Sequence, residues 1–435
     1  MHVQKAKHGY KLEKSLYGKY EEIPEEWEIA KIEDLFDVGS SKRVLESQWQ
    51  SEGVPFYRGR EITSLSKYGK VENDLFISKE LYQEYASKYG IPKAGDILIT
   101  GIGTVGNSYL VKEDEEFYFK DASVLWLSKN SNVNSKFVSY WFKSEKFFQQ
   151  LDKGNGSTVD SLTIKKLQSI KVTLPLMLEQ QKIASILLNV DSLINQTQKE
   201  IEQTQKIKKG LIQKLLTKGI GHTKFKKKKW FFDEQLEIPE SWNIIDVNEI
   251  TISHKQGLYT TQTYSDNGIK IVRVNDLHNP SLSYRTMEHL DLDNKTFESF
   301  KISKGDFLIA RTGNIGNYGI VTEDIPCVFV SDIIRFVFNS KILLNDFFGI
   351  FFESNLLSKQ LKMIQQSSSH IHINAETIKS LKITLPSLIE QQKIASILSN
   401  VDSQIQKQQE YKSKLESLKK GLMQKLLTGQ IRVKV

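Results

Sequence analysis

The chain has one cysteine, Cys327, and eight prolines in 435 residues. A single thiol excludes an internal disulfide framework and a cysteine-rich metal site, and no neighbouring motif marks Cys327 as a nucleophile rather than a core residue. No apolar run reaches the roughly 18 residues that a membrane-spanning helix needs. The opening MHVQKAKHGYKLEK has no apolar signal core, so the expected location is cytoplasmic, without a membrane partner. P-loop and helicase signatures are missing as well. Residues 203–232 contain no acid at all but ten lysines, which more than accounts for the net charge of +8. A patch of this sign is the electrostatic footprint of a polyanion partner, with nucleic acid the common one. For the run Lys226, Lys227, Lys228 and Lys229 the competing reading is a solvated linker.

What the chain has in abundance is repetition. Residues 179–217 read EQQKIASILLNVDSLINQTQKEIEQTQKIKKGLIQKLLT and return at 390–428 as EQQKIASILSNVDSQIQKQQEYKSKLESLKKGLMQKLLT, at a constant offset of 211. Copies this alike mark an internal duplication. Ile183, Ile186/Leu187, Val190, Leu193/Ile194, Ile201, Ile207, Leu211 and Leu215, with Thr197 and Thr204 between them, recur at three-and-four spacing. That narrow stripe predicts a long helix in a coiled coil. The second copy keeps the stripe through Ile394, Ile397/Leu398, Val401, Ile405, Leu415, Leu418, Leu422 and Leu426, with Gln408 and Tyr411 as interruptions. At about 1.5 Å per residue each helix would run roughly 58 Å. Two such helices most simply bury their stripes against each other, and so separate whatever is attached to their ends.

The rest of the chain is paired too. Ile23-Pro24 and Trp27 open one globular unit as Ile238-Pro239 and Trp242 open another. Each unit holds short β-rich runs divided by glycines, then helical stretches at 136–151 and 344–364, then IKVTLP or LKITLP before the long helix. The expected fold is α+β, a mixed α/β architecture with an antiparallel sheet in each unit. The division read from these signals is a basic tail at 1–21, a first unit at 22–175, a long helix at 176–218 and a basic linker at 219–236. A second unit at 237–386, a second long helix at 387–428 and a strand-like tail at 429–435 follow. The order is cyclic, with internal pseudo-two-fold symmetry, so the tail at 1–21 should pack near the carboxyl terminus.

Chemistry is hard to find. GIGTVG at Gly101 is a literal G-x-G-x-x-G, but no helix is expected after it and its twin reads RTGNIG, so a tight turn between strands is the better reading. Asn279-Pro280 is followed by Ser281-Leu282, where an amino-methyltransferase motif would need an aromatic residue. Asp293-x-Lys295 is half of a nuclease triad without its partner, and His370-x-His372 has no third metal ligand. No catalytic residue and no metal site of its own are expected. The paired loops do carry hydrogen-bonding and basic residues beside glycine: Arg58, Arg60, Thr100, Thr104, Asn107, Ser157 and Thr158, then Arg273, Asn275, Arg311, Thr312, Asn314, Asn317, Ser368, His370 and His372. Arginine and asparagine can grip guanine and adenine edges, and small polar residues can hold phosphates, so these types suit DNA binding. A plain turn role remains open for each.

Over its whole length the chain resembles the specificity subunit of type I restriction-modification systems. The resemblance rests on the paired LP-x3-EQQKIA starts (Leu174-Pro175 with Glu179 to Ala184, Leu385-Pro386 with Glu390 to Ala395), the paired GL-x-QKLLT ends and the paired IPE-x-W openings. It implies two target recognition domains held apart by two antiparallel helices, each reading one half of a bipartite site in double-stranded DNA. It further implies two methyltransferase (modification) subunits on the helices, bringing S-adenosylmethionine, and restriction (motor-nuclease) subunits for cleavage, with ATP and Mg on those partners. The chain itself would be no enzyme and would bind no cofactor. Two other classes stay open from residues alone: a solitary DNA methyltransferase or nuclease with an unrecognised site, and a coiled-coil scaffold that binds only proteins.

Overall fold

Both repeated stretches are continuous helices, Met177–Lys218 of 42 residues and Leu388–Leu426 of 39. The computed structural model describes residues 6–14, 20–151, 161–231, 234–311, 316–366 and 374–434. The chain divides into two compact units, Met1–Thr197 with Tyr411–Val435, and Gln198–Glu410, so each unit takes one half of each long helix.

In the first unit Ile183, Ala184 and Leu187 of the first long helix share a core with Leu426 of the second and Leu427 just beyond it. Lys419 Nζ lies 2.6 Å from Asp191 Oδ1. In the second unit Ile212, Leu215 and Leu216 pack with Ile394 and Leu398, and Lys208 Nζ lies 2.7 Å from Asp402 Oδ1. Low numbers of one helix meet high numbers of the other in each unit, so the paired halves are antiparallel. The two ion pairs are related by the repeat offset of 211.

The stripe itself runs one residue away from part of its expected line. Leu193, Ile207 and Leu418 are exposed, while Ile194, Thr197, Ile201, Thr204 and Lys208 continue the seam. A lysine is tolerated there because its ammonium reaches both Asp402 and Glu353, whose hydrogen bonds outweigh the downward pull of burial and hold its pKa above the ordinary value. Gln408, expected as an interruption, is a seam member whose Oε1 accepts from Thr204 Oγ1 at 3.4 Å.

Each unit is built on the same four-stranded antiparallel sheet. In the first, β1 (Phe36–Gly39), β2 (Ile97–Thr100), β3 (Ser108–Leu110) and β4 (Val124–Lys129) lie in the order β1-β4-β2-β3. In the second, β5 (Thr251–Gln256), β6 (Phe307–Ala310), β7 (Tyr318–Ile320) and β8 (Ile333–Phe338) lie in the order β5-β8-β6-β7. β2 and β6 are apolar along most of their length and wholly buried, as central strands covered on both faces must be. A smaller sheet departs from the antiparallel expectation, since Val54–Tyr57 runs parallel to Tyr118–Phe119 and Ile269–Val272 runs parallel to Cys327–Phe329. The helical stretches are also broken, into Ser135–Trp141 and Glu145–Leu151, and Asn345–Phe352 and Asn355–Gln366. At each break a serine hydroxyl, Ser144 or Ser354, donates back to the carbonyl of Trp141 or Phe351, a local bond that competes with continuing the helix.

Three segments read as tails or linker are organised. Within residues 219–236, Phe225–Lys229 pairs antiparallel with Gln235–Pro239, and within 1–21, Tyr10–Lys14 pairs with Tyr20–Pro24. A lysine run is a poor strand former by itself, but the buried Trp230 and Phe231 anchor the hairpin in the core. Tyr10 Oη donates to the Gly429 carbonyl at 2.8 Å. Residues 429–434 form no strand; Arg432 ties them down instead, with its Nε 2.9 Å from Glu179 Oε1.

The two sequence signatures meet in space. Trp27 Nε1 donates to Glu179 Oε2 at 3.1 Å, and Trp242 Nε1 donates to Glu390 Oε2 at 2.9 Å. The next residue joins strand end to helix start: Gln180 Nε2 donates to the Pro175 carbonyl at 2.9 Å, and Gln391 Nε2 to the Pro386 carbonyl at 3.0 Å. The same glutamines accept from Asn134 N and Leu344 N, at 3.0 and 2.9 Å, and so fix the helix that follows the sheet. Within each unit the sheet domain is therefore tied to the start of its long helix by buried and part-buried polar bonds.

Candidate nucleic-acid interface

In the first unit one end of the sheet is occupied. Gly95 and Lys129, at the start of β2 and the finish of β4, line a groove with Met177 and Gln181 of the long helix. The opposite end is where turns follow β1, β2 and the strand Val54–Tyr57, and where the turn 119–123 leads into β4. Most of the expected DNA-binding residues of this unit lie at that end.

Thr100 closes β2 and is buried; its hydroxyl donates to the Thr104 carbonyl and accepts from Asn107 N at 3.0 Å. Asn107 Nδ2 donates to the same carbonyl at 2.9 Å. Both side chains shape the turn 101–107, which joins two strands as the glycine spacing implied. Thr104 is exposed, with its hydroxyl 3.4 Å from that of Thr63. Ile102 forms a bridge with Ser161, and Leu162 N donates to the Gly101 carbonyl at 2.7 Å. The flank of the loop carrying Ser157 and Thr158 is thus brought to the turn, though those two lie outside the described residues.

Arg58 and Arg60 are held by carboxylates. Arg58 Nη2 donates to Glu61 Oε1 at 3.0 Å and to Asp74 Oδ1 at 2.9 Å, and Arg60 donates through Nε to Glu61 at 2.7 Å and through Nη2 to Asp74 at 2.7 Å. Burial pushes the Glu61 carboxyl up, but the hydrogen bonds from Arg58 and Arg60 win, and its pKa lies below the ordinary value. Two cations and two anions cancel, so this cluster is no basic patch in the free chain.

The second unit repeats the device. Arg273 donates to Asp276 Oδ2 at 3.1 Å, to Glu288 Oε1 at 3.0 Å and to the Thr286 carbonyl at 2.8 Å, which leaves it little capacity for a ligand. Asn275 is exposed beside it. Arg311, half-buried, follows β6, where its backbone N donates to the Asp332 carbonyl at 2.9 Å, and the Asn317 carbonyl accepts from Ala310 N at 2.9 Å. Thr312, Asn314, Ser368, His370 and His372 lie outside the described residues. Lys226 donates to the Glu240 carbonyl, while Lys227, Lys228 and Lys229 are exposed on the hairpin.

Other candidates have structural occupations. Asp293 caps the helix Asn294–Phe300, accepting from Thr296 N at 2.8 Å. Cys327 is buried, and burial pushes its thiol up to about 12, which removes the thiolate a nucleophile needs. Among the described residues no three His, Cys, Asp or Glu side chains converge as metal ligands. Sequence reasoning passed over residues 40–43, SSKR, which the fold places at the open end after β1; the signal available was a small-polar and basic tetrapeptide after a strand run.

Comparison with known proteins adds a family. The model for the type I restriction modification DNA specificity domain matches residues 24–203 and 239–417. The chain is 28% identical over 425 residues to the type I restriction enzyme MjaVIII specificity subunit of Methanocaldococcus jannaschii, covering 95% of this chain and 94% of that one. Its fold is similar to that of a chain solved in work on assembly and conformational transition of the type I R-M system, with a TM-score of 0.61 at 15% identity, covering 94% and 99% of the two chains. It is also similar to the S subunit of a type I restriction-modification system from M. genitalium, with a TM-score of 0.53 at 18% identity, covering 92% and 96%.

Proposed function

Because this chain belongs to the type I restriction modification DNA specificity family, we propose that each of its two globular domains reads one half of an asymmetric bipartite site in double-stranded DNA. The chain supplies recognition and no catalyst. Two modification subunits dock on the long helices and bring S-adenosylmethionine, and restriction subunits join for cleavage with ATP and Mg. The observation that carries this reading is one frame with two different faces. The sequence after β2 is GIGTVGN and the sequence after β6 is RTGNIGN, in sheets of identical strand order. A shared frame followed by unlike residues is what two readers of unlike half-sites require.

The test is a domain exchange read by methylome sequencing of a host that carries the chain with its modification partner. Replacing residues 22–170 by the matching segment of a relative is expected to change one half-site, and a change in both halves contradicts the reading. The long helices are proposed to set the gap. One helical turn inserted near Glu202 should alter the number of bases between unchanged half-sites, and an unaltered gap ends that part of the proposal. Lys226 to Lys229 are proposed to contact phosphates; replacing them with Gln should lower the slope of log K against log salt by up to about one per lysine removed.

A further inference from the structure

We propose that Arg43 reads a guanine in the half-site bound by the first domain, as a specificity-determining residue held in place by Asp121. The inference rests on the reading given under Proposed function and names a side chain that carries it.

Recognition of guanine through its O6 and N7 asks for a guanidinium whose two terminal nitrogens are free and whose plane is held. Arg43 meets both conditions. Its Nε donates to Asp121 Oδ2 at 2.8 Å, and among the described residues neither terminal nitrogen has a partner. The Arg43 side chain is 69% exposed and that of Asp121 only 16%, so the anchor is sheltered while the fork faces solvent. Arg58 and Arg60 lack this freedom, since each already gives Nη2 to Asp74.

The backbone beneath Arg43 is also pinned. Ser40 Oγ donates to the Val124 carbonyl at 3.1 Å and Ser41 Oγ to the Phe119 carbonyl at 2.6 Å. Lys42 N donates to Tyr118 Oη at 3.0 Å, and the Arg43 carbonyl accepts from Tyr85 Oη at 3.2 Å. The segment therefore lies against the turn 119–123 at the open end of the sheet, away from the end that adjoins the long helix. An arginine pre-set in this way loses less conformational freedom on docking than a free one, and a single bidentate pair discriminates against the wrong base by roughly 5- to 150-fold.

The test compares wild type, Arg43→Ala, Arg43→Lys and Asp121→Asn, each assembled with the modification subunits, by methylome sequencing. The wild type should show a bipartite motif with a guanine, on either strand, in the half that the exchange of residues 22–170 alters. Arg43→Ala should make that one position degenerate while the second half-site stays intact. Arg43→Lys keeps the charge but not the planar fork, and should relax the same position. Asp121→Asn should relax it partly. An unchanged motif in Arg43→Ala overturns the proposal, and so does a uniform fall in methylation that Arg43→Lys restores, which is the signature of a phosphate contact. If Arg43→Ala abolishes methylation, Arg43→Lys decides: a relaxed position supports the proposal and a kept motif overturns it. A wild type without any bipartite motif would instead strike the underlying functional reading.

Discussion

A buried carboxylate joins domain to helix in both units, but the side chain facing it differs. In the first unit Glu179, with its side chain 1% exposed, takes the fork of Arg432 through Nε at 2.9 Å and Nη2 at 3.0 Å, and the same guanidinium reaches Glu26 at 2.7 Å. In the second, Glu390 is 14% exposed and meets one ring nitrogen of His222 at 2.9 Å, with the ring edge-on to Trp242. Arg432 and His222 each stand three residues after a glycine in the left-handed region, Gly429 and Gly219. The same geometry is thus fastened by a permanent planar cation in one place and by a weaker, partly open partner in the other. An arginine can satisfy both carboxylate oxygens at once, so its joint tolerates deeper burial.

The largest expected effect separates the two joints. Glu179→Ala should cost about 2–4 kcal/mol, since it leaves the indole N–H of buried Trp27 without its acceptor and removes the fork from Arg432, which keeps Glu26 and some access to water. Glu390→Ala should cost less, roughly 1–3 kcal/mol. Hydrogen exchange of the joint strands Glu28–Lys31 and Asn243–Asp246 reads the two separately, and equal losses would erase the distinction.

A second experiment sharpens it. A Cβ at Gly219 would lie 2.5 Å from Glu390 Oε1 and 2.6 Å from Trp242, whereas at Gly429 it would meet Pro24 at 2.5 Å and no carboxylate. Each Gly→Ala change should cost about 1–3 kcal/mol from strain at positive φ alone. Gly219→Ala combined with Glu390→Ala should be less than additive, while Gly429→Ala with Glu179→Ala should be closer to additive.

Smaller effects follow from the arginine clusters. The folded Glu61 carboxyl has a lowered pKa, so its stabilising contribution is full above the unfolded value and is lost as pH falls through the folded value. Glu61→Gln should remove that part of the acid sensitivity of the first domain and cost roughly 1–2 kcal/mol at neutral pH, modest because Arg58 and Arg60 remain reachable by water. An unchanged acid slope in exchange of the strand Val54–Tyr57 would count against it. The smallest effect is at Cys327, which should resist thiol reagents in the native protein and react only on unfolding.

Much of the frame was legible because it is periodic. The helices, the duplication and the paired domain openings are patterns of neighbouring residues, and burial of the stripe follows from them. The seam drifted from Ile207 to Lys208 because a coiled coil averages 3.5 residues per turn and a one-residue choice depends on what the partner offers, here Asp402 and Glu353. The candidate site was legible only as a set of loops. Thr100 and Asn107 bond the turn's own backbone because its groups need partners, and Arg58 is neutralised by Asp74, sixteen positions on.

The amino-acid order by itself determined the duplication, the two long helices, the α+β units and the family. The tertiary structure decided which side chains are spent and which are free: Glu179 finds Arg432 across 253 positions and Arg43 finds Asp121 across 78. Periodicity is local and survives in a string of letters, but a hydrogen bond exists only within about 3 Å, and elements distant in the chain reach that separation only when the core packs.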